Sequence, residues 1–257
     1  MDLGLKERIV IVTGGAKGIG AAVTSALWRE GAVPVVVGRS EADNLKALRE
    51  LAPGGFSVTA ELTRPEECRR AVEEVVQRFG RIDGLVNNAG VNDGVGLESG
   101  DYESFMQSLH RSLVHYYLMA HHALPALKRS RGSIVNIGSK VAETGQGGTS
   151  GYAAANGGRN ALTREWSVEL IEHGIRVNAV IVAESYTPLY EKWIRTLSDP
   201  EEALKRITDR IPLGKRMTAP AEIADTVVFL LSERSSHTTG QLIHVDGGYV
   251  HLDRALE

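Results

Sequence analysis

The chain has 257 residues, of which 42% are hydrophobic and 24% charged, and its net charge of −3 excludes the basic surface typical of nucleic-acid-binding proteins. Its single cysteine excludes an internal disulfide framework and a cysteine-based zinc site. No apolar run approaches the roughly 18 residues that cross a membrane, and the first residues carry no apolar leader. We therefore expect a cytoplasmic protein with no membrane partner and one α/β domain over residues 1–257.

Hydrophobic runs that end at glycine or proline predict strands and helices in alternation along the chain. Strands are predicted at residues 8–13, 33–37, 56–60, 82–87, 132–139, 175–182 and 241–245. Helices are predicted at residues 18–30, 41–51, 65–79, 101–129, 152–173 and 220–232. This order predicts a doubly wound parallel sheet of about seven strands with helices on both faces.

Three further features bear on where chemistry can occur. Cys68 lies on the apolar face of the helix at 65–79, which predicts a buried, unreactive thiol. The long irregular stretch 183–219 begins at the carboxyl end of a strand, where such sheets bind ligands, and is predicted to be a substrate loop. The eight histidines show no metal-ligand spacing, so we expect no metal site.

A glycine-rich turn, residues 13–20 (TGGAKGIG), joins the first strand to the first helix. Gly14 permits the tight turn, Gly18 lets the backbone approach a pyrophosphate, and Gly20 lets the helix pack closely on the strand. The helix N-terminus then presents its positive dipole to the phosphates. The spacing is G-x-x-x-G-x-G rather than G-x-G-x-x-G, but its place between a strand and a helix predicts a dinucleotide site on a Rossmann fold.

The same turn resembles that of the short-chain dehydrogenase/reductase family, and further motifs agree with this resemblance over nearly the whole chain. They are 87–90 (NNAG), Ser139 and Tyr152 thirteen residues apart, 176–180 (RVNAV) and 240–249 (GQLIHVDGGY). Segments 84–94, 162–166 and 246–256 are similar to a sugar-oxidising branch, the bacterial L-fucose dehydrogenases. The resemblance implies hydride transfer between a nicotinamide cofactor and a small polyhydroxy substrate, L-fucose or a related aldose. It also implies a homotetramer.

The resemblance and the turn together assign a set of cofactor-binding residues. They are Thr13, Gly14, Lys17, Gly18, Ile19, Gly20, Arg39, Glu61, Leu62, Asn88, Ala89, Gly90, Tyr152, Asn156 and Thr187. NAD-selective sites usually carry an acid about 20 residues after the glycines, but Gly38 stands there and Arg39 follows it. Arg39 and Lys17 could pair with a 2′-phosphate, which favours NADP over NAD. The alternative is that both are solvated surface charges, and Glu41 and Asp43 leave NAD open.

Proton transfer is the second requirement of this chemistry, because oxidation of a carbinol also releases its hydroxyl proton. A tyrosine, with an ordinary pKa of about 10, accepts that proton only if its pKa is lowered. The family supplies a lysine four residues after the tyrosine, a serine that holds the substrate oxygen, and an asparagine that completes a water relay. Ser139 and Tyr152 match this pattern, but Asn156 replaces the lysine and Ser112 the asparagine.

The lost lysine charge sets the expected activity. Asn156 can bond ribose hydroxyls, but a neutral amide cannot favour tyrosinate through a Coulomb interaction, an effect worth about 1–4 kcal/mol for a partly desolvated cation. Two cations are candidate replacements. Lys140 follows Ser139 on a strand and points to the opposite face, and Arg159 lies seven residues after Tyr152 on roughly the same helix face.

We expect low activity at neutral pH that rises toward alkaline pH. The alternative is a nucleotide-binding module with little catalysis, a sensor or assembly partner.

Polar and aromatic residues after the fourth, fifth and sixth strands offer the hydrogen bonds and aromatic face that a sugar needs. Besides Ser139 and Tyr152, the predicted substrate contacts are Asn92, Asp93, Gln146, Glu184, Tyr190 and Trp193. Thr187, before Pro188, matches the threonine with which the family holds the nicotinamide carboxamide.

Overall fold

The computed structural model describes residues 2–49, 51 and 55–252. Over these residues the chain forms a seven-stranded sheet in the order β3-β2-β1-β4-β5-β6-β7, with every neighbouring pair parallel. The strands are β1 (Ile9–Thr13), β2 (Val33–Gly38), β3 (Phe56–Thr59), β4 (Gly84–Asn87), β5 (Ser133–Ser139), β6 (Arg176–Val182) and β7 (Leu242–Val245). The predicted doubly wound sheet is confirmed.

Helices connect the strands and cover the sheet. They are α1 (Gly18–Arg29), α2 (Glu41–Arg49), α3 (Pro65–Phe79), α4 (Tyr102–Leu109), α5 (His115–Ser130), α6 (Val141–Thr144), α7 (Ser150–Glu169), α8 (Pro188–Ile194), α9 (Pro200–Asp209) and α10 (Pro220–Leu231). None of the helices in the described part of the chain is long and apolar enough to cross a membrane.

Strand β1 shows why both faces of the sheet must be covered. Ile9 and Ile11 belong to the core layer that contains side chains of α3 and α5, whereas Val10 and Val12 belong to the layer that contains those of α1 and α10. Successive side chains of a strand point to opposite faces, so an all-apolar strand must be buried on both sides. The two layers leave the carboxyl ends of the strands as the edge where a ligand can enter.

The stretch 183–219 contains two helices, α8 and α9, so the prediction that it is irregular was wrong. Each helix has a proline in its first turn and a side-chain N-cap. Thr187 accepts a hydrogen bond from the Tyr190 amide at 3.2 Å, and Asp199 accepts one from the Glu202 amide at 3.0 Å. These local capping signals, rather than long apolar faces, specify both helices.

Other element boundaries differ by smaller amounts. The helix predicted at 101–129 runs through α4 and α5, with a π-helical turn at His110–Val114 between them. Such turns often mark functional sites. The break predicted after α2 falls largely on residues 50 and 52–54, outside the described residues.

The one cysteine of the chain lies inside the core, as the helix pattern predicts. Cys68 on α3 is fully buried, and its thiol donates a hydrogen bond to the Leu62 carbonyl at 3.3 Å. Burial raises the pKa of the Cys68 thiol to about 12, which keeps it neutral and unreactive at physiological pH.

Candidate active site

The glycine turn after β1 is joined to the segment after β4. The Thr13 hydroxyl oxygen accepts hydrogen bonds from the backbone amides of Asn88 and Ala89 at 2.9 and 3.1 Å. The side-chain amide of Asn88 donates to the Thr13 carbonyl at 2.9 Å. Strand order reverses between β1 and β4, so these bonds fix the loops at the crevice where doubly wound sheets bind ligands.

The backbone of the turn requires each of the three predicted glycines. Gly14 and Gly18 have φ angles of 64° and 56°, a region that strains other residues. A Cβ on Gly20 would lie 2.6 Å from the Asn88 side-chain nitrogen and closer still to the Gly14 carbonyl oxygen. No side chain caps the N-terminus of α1, so its amides face the crevice. This cradle fits the pyrophosphate of a dinucleotide.

A groove of about 620 Å³ runs along the carboxyl ends of the central strands. Seven of the predicted cofactor residues line it: Gly14, Lys17, Arg39, Glu61, Leu62, Ala89 and Gly90. A larger cavity of about 770 Å³ lies at the amino ends of the strands, near Arg8 and Gly132, and its lining contains none of the predicted site residues. The groove therefore matches the predicted nucleotide site, and the larger cavity does not.

The two cations predicted to bind a 2′-phosphate differ in whether they already form an ion pair. Lys17 Nζ lies 2.6 Å from Asp43 Oδ2, and this contact holds the pKa of the Asp43 carboxyl below its usual range. Arg39 is exposed and forms no ion pair among the described residues. At Gly38 a Cβ would lie 2.8 Å from Oδ1 of the buried Asn44. That crowding leaves little room for the acid that selects NAD.

The remaining predicted cofactor residues lie around the turn and the groove. Ile19 packs against the core layer below the turn. A Cβ on Gly18 would lie 3.3 Å from the Thr187 side chain, so Thr187 sits directly over the turn. The Thr187 hydroxyl forms the N-cap of α8.

The predicted catalytic residues lie at the carboxyl end of β5 and along α7. Ser139 is the last residue of β5, and Tyr152 lies in the first turn of α7 and is half-buried. Asn156 is fully buried, and its side-chain amide donates back to the Tyr152 carbonyl at 2.8 Å. Asn156 is thus held within α7 by its own helix.

Ser112 lies in the π-helical turn and is also fully buried. Its hydroxyl donates to the Val91 carbonyl at 3.1 Å and accepts from the Val91 amide at 3.3 Å. Ser112 therefore anchors the segment after β4, beside the groove.

Arg159 is the residue that the predicted site omits, although the sequence offers it as a replacement for the lysine. Its side chain is buried, and Nε donates to the Ser112 carbonyl at 2.6 Å. Nη1 donates to the Ile137 carbonyl at 3.1 Å and to Asn156 Oδ1 at 3.0 Å. The guanidinium carbon lies 6.0 Å from the centre of the Tyr152 ring. One buried cation thus contacts both residues at the unusual positions.

Two neighbours of Arg159 on α5 are held uncharged by burial. Burial, aided by the positive charge of Arg159, lowers the pKa of His115 to about 3. Burial also raises the pKa of Tyr116, whose hydroxyl donates to the Ile137 carbonyl at 3.1 Å. The Tyr116 ring lies 4.2 Å from the guanidinium carbon, a cation–π distance.

Lys140, the other candidate replacement, is engaged elsewhere. Its ammonium is buried in an ion pair with Glu184 and lies 4.1 Å from the centre of the Tyr249 ring. Because Glu184 offsets this charge, the structure does not support Lys140 as the missing cation. The ion pair also engages the carboxylate of Glu184, which the sequence predicts to be a substrate contact.

The other predicted substrate residues are spread around the site. Tyr190 and Trp193 lie on α8 rather than in a loop, and their rings meet edge to face at 5.1 Å. Burial and Glu184 together raise the pKa of Tyr190. Asp93 accepts a hydrogen bond from the Ser108 hydroxyl at 2.9 Å. The remaining two, Asn92 and Gln146, are exposed.

Three potential metal ligands that are distant in sequence lie together on the surface. The nitrogen and oxygen ligand atoms of Glu143, His244 and His251 lie within 4.8 Å of one another. Glu143 accepts hydrogen bonds from His244 at 3.1 Å and from Asn160 at 3.4 Å. Sequence spacing could not reveal this cluster.

Comparisons with known proteins match nearly the whole chain. A family model described as Enoyl-(Acyl carrier protein) reductase matches residues 14–250. The L-fucose dehydrogenase of Bos taurus is 38% identical over 242 residues, 94% of this chain and 88% of the relative. The solved structure of Cj0485 dehydrogenase is 44% identical, with a TM-score of 0.96, and covers 100% of this chain and 99% of that one. The ligand-free aldohexose dehydrogenase of Thermoplasma acidophilum is 27% identical, with a TM-score of 0.90, and covers 99% and 98%.

Substitution of Gly20 tests whether the turn binds a dinucleotide. In Gly20→Ala the new methyl group must displace the Gly14 carbonyl, so we expect the Kd for NADP and NAD to rise at least about tenfold, or 1.4 kcal/mol. Gly157→Ala is the matched control, since a Cβ there meets nothing within 4 Å. Calorimetric titration measures both. Unchanged affinity in Gly20→Ala would show that the dinucleotide binds elsewhere.

Proposed function

The chain belongs to the short-chain dehydrogenase/reductase family of oxidoreductases, and we propose that it oxidises a small polyhydroxy substrate, L-fucose or a related aldose, with NADP preferred over NAD. The observation that carries this proposal is the placement of Ser139 and Tyr152 at the same sheet edge as the glycine cradle. Relatives named L-fucose dehydrogenase and aldohexose dehydrogenase support a sugar as the substrate class.

The roles of the chain's residues follow from their chemistry. When bound, the nicotinamide supplies the hydride acceptor for oxidation or the donor for reduction. Ser139 donates a hydrogen bond to the substrate oxygen, and Tyr152 accepts the hydroxyl proton as the carbonyl forms. The turn would hold the pyrophosphate, and Thr187, whose side chain lies beside Gly18, would hold the carboxamide. Tyr190 and Trp193 offer an aromatic edge to the sugar.

The neutral Asn156 sets the expected rate. The lysine that the family carries at this position favours tyrosinate directly, whereas the Asn156 amide carries no charge. Turnover at neutral pH is therefore expected to be low unless another cation favours the ionised form of Tyr152. A nucleotide-binding module with little catalysis is the second candidate, and the replaced lysine and relay asparagine favour it.

The face shared by α5 and α7 supports self-association. Tyr117 on α5 and Val168 on α7 are exposed apolar side chains, and a shallow groove between the two helices is lined by Tyr117, Leu124 and Trp166. The family resemblance assigns tetramer contacts to these helices. A cytoplasmic homotetramer with no nucleic-acid partner is the assembly we favour.

The substrate proposal is tested by cofactor reduction with L-fucose, with an acyl thioester reduction as the competing assay because the family model is named for an acyl reductase. We expect NADP reduction with L-fucose whose rate rises from pH 7 to pH 10, because the tyrosinate population grows with pH. Tyr152→Phe removes the proton acceptor and should lower the rate at least about 100-fold. A high, pH-independent rate would contradict this role for Tyr152. No turnover in either assay would favour the binding module.

The cofactor preference is tested at Arg39, an exposed cation in the lining of the groove. We expect Arg39→Ala to weaken NADP binding about tenfold or more and to leave NAD binding nearly unchanged, because the charge-assisted bonds to a 2′-phosphate are lost. Lys46→Ala, which removes a nearby exposed cation outside the groove lining, is the control. Equal affinities of the native protein for NAD and NADP would refute the preference.

A further inference from the structure

We propose that Arg159 supplies, from inside the core beside Tyr152, the positive charge that Asn156 lacks, and so acts as a positioning residue that favours the ionised form of Tyr152. The inference rests on the proposed function because it takes Tyr152 as the group that exchanges the substrate proton. The inference adds to that function the residue that supplies the positive charge beside Tyr152.

The charge of Arg159 is buried and not offset by a carboxylate. Arginine stays protonated in proteins, and here its side chain is only 3% exposed. Arg159 forms no ion pair among the described residues, and its hydrogen bonds go to two main-chain carbonyls and one amide oxygen. Neutral acceptors stabilise a guanidinium without cancelling its charge. Its field therefore extends to neighbouring groups with little screening.

The guanidinium of Arg159 lies close to the Tyr152 ring. Its carbon is 6.0 Å from the centre of the Tyr152 ring, and Asn156 links the two residues by bonding to Arg159 through Oδ1 and to the Tyr152 carbonyl through its amide. A lysine at position 156 would start from the same fully buried position, beside the guanidinium. Two cations there would repel each other, so Asn156 and Arg159 form a matched pair.

One nitrogen of the Arg159 guanidinium donates no hydrogen bond to the described residues. Nη2 is buried without a hydrogen-bond partner among the described residues. A Cβ on Gly90 would lie 2.7 Å from this nitrogen, and Gly90 lines the groove. A buried donor without a partner costs free energy unless a ligand or water satisfies it. Nη2 thus stands behind the groove wall at Gly90, where a ribose hydroxyl or a relay water would complete its bonding.

The other ionisable groups around Tyr152 do not compete with this charge. On α5, Tyr116 and His115 are held neutral by burial. After β5, Lys140 is offset by Glu184. On α6, Glu143 faces His244 and Asn160. In the segment after β4, Asp93 lies 3.6 Å from Arg111, so those two charges offset each other.

Direct titration of Tyr152 tests the proposal without any turnover. The tyrosinate absorbance of the native protein minus that of Tyr152→Phe isolates one of the seven tyrosines. The midpoint of this difference in the native protein is the reference value. In Arg159→Gln, which keeps amide donors but loses the charge, the midpoint should rise by about one pH unit or more relative to the native protein. Arg159→Lys should restore most of the difference.

The controls separate charge from folding and from substrate choice. Circular dichroism shows whether each variant folds, and Arg159→Met takes the place of Arg159→Gln if the latter does not fold. Equal midpoints in the native protein and a folded variant without the charge would overturn the role of Arg159. Failure to oxidise any sugar would refute the proposed function, yet the titration would still report on Arg159.

Discussion

The buried guanidinium of Arg159 is the interaction on which the framework of the site depends. It bonds to one acceptor each on the π-helical turn, on β5 and on α7. Leaving a charge in the core without such partners would cost several kcal/mol, so the acceptors and the guanidinium fix one another's positions. Ser139 at the end of β5 and Tyr152 at the start of α7 lie on two of the elements that this bonding ties together.

The same cluster reaches the cofactor groove. Ser112, whose carbonyl accepts from Arg159, bonds through its hydroxyl to both backbone groups of Val91, directly after Gly90 in the groove wall. The opposite end of that segment is fixed to Thr13 in the glycine turn. The glycine turn and the elements that carry Ser139 and Tyr152 thus share one hydrogen-bonded framework. A change at the replaced lysine position therefore affects the groove wall as well as the tyrosine.

Local signals in the sequence predicted most of the fold and named candidate site residues, whose roles stay predictions. The β-branched strands, the glycine turn and the pair Ser139 and Tyr152 are set by short-range pattern, and the sheet and the family are confirmed. The role of Arg159 was left open because it depends on acceptors 47 and 22 residues away, which no spacing rule joins. The ion pair of Lys140 with Glu184 was missed for the same reason. The helices α8 and α9 were missed because they are short and begin with caps rather than apolar faces.

The most direct test of whether Arg159 carries the charge that position 156 lacks is the turnover of Asn156→Lys at pH 7 beside the native protein, with L-fucose and NADP. If Arg159 carries that charge, the lysine gives no gain, because a second cation enters a space that a guanidinium already fills. A gain from the lysine is then expected only when Arg159 is also replaced by Met. A tenfold or larger gain from Asn156→Lys alone would show that the site lacks a cation and that Arg159 does not supply it.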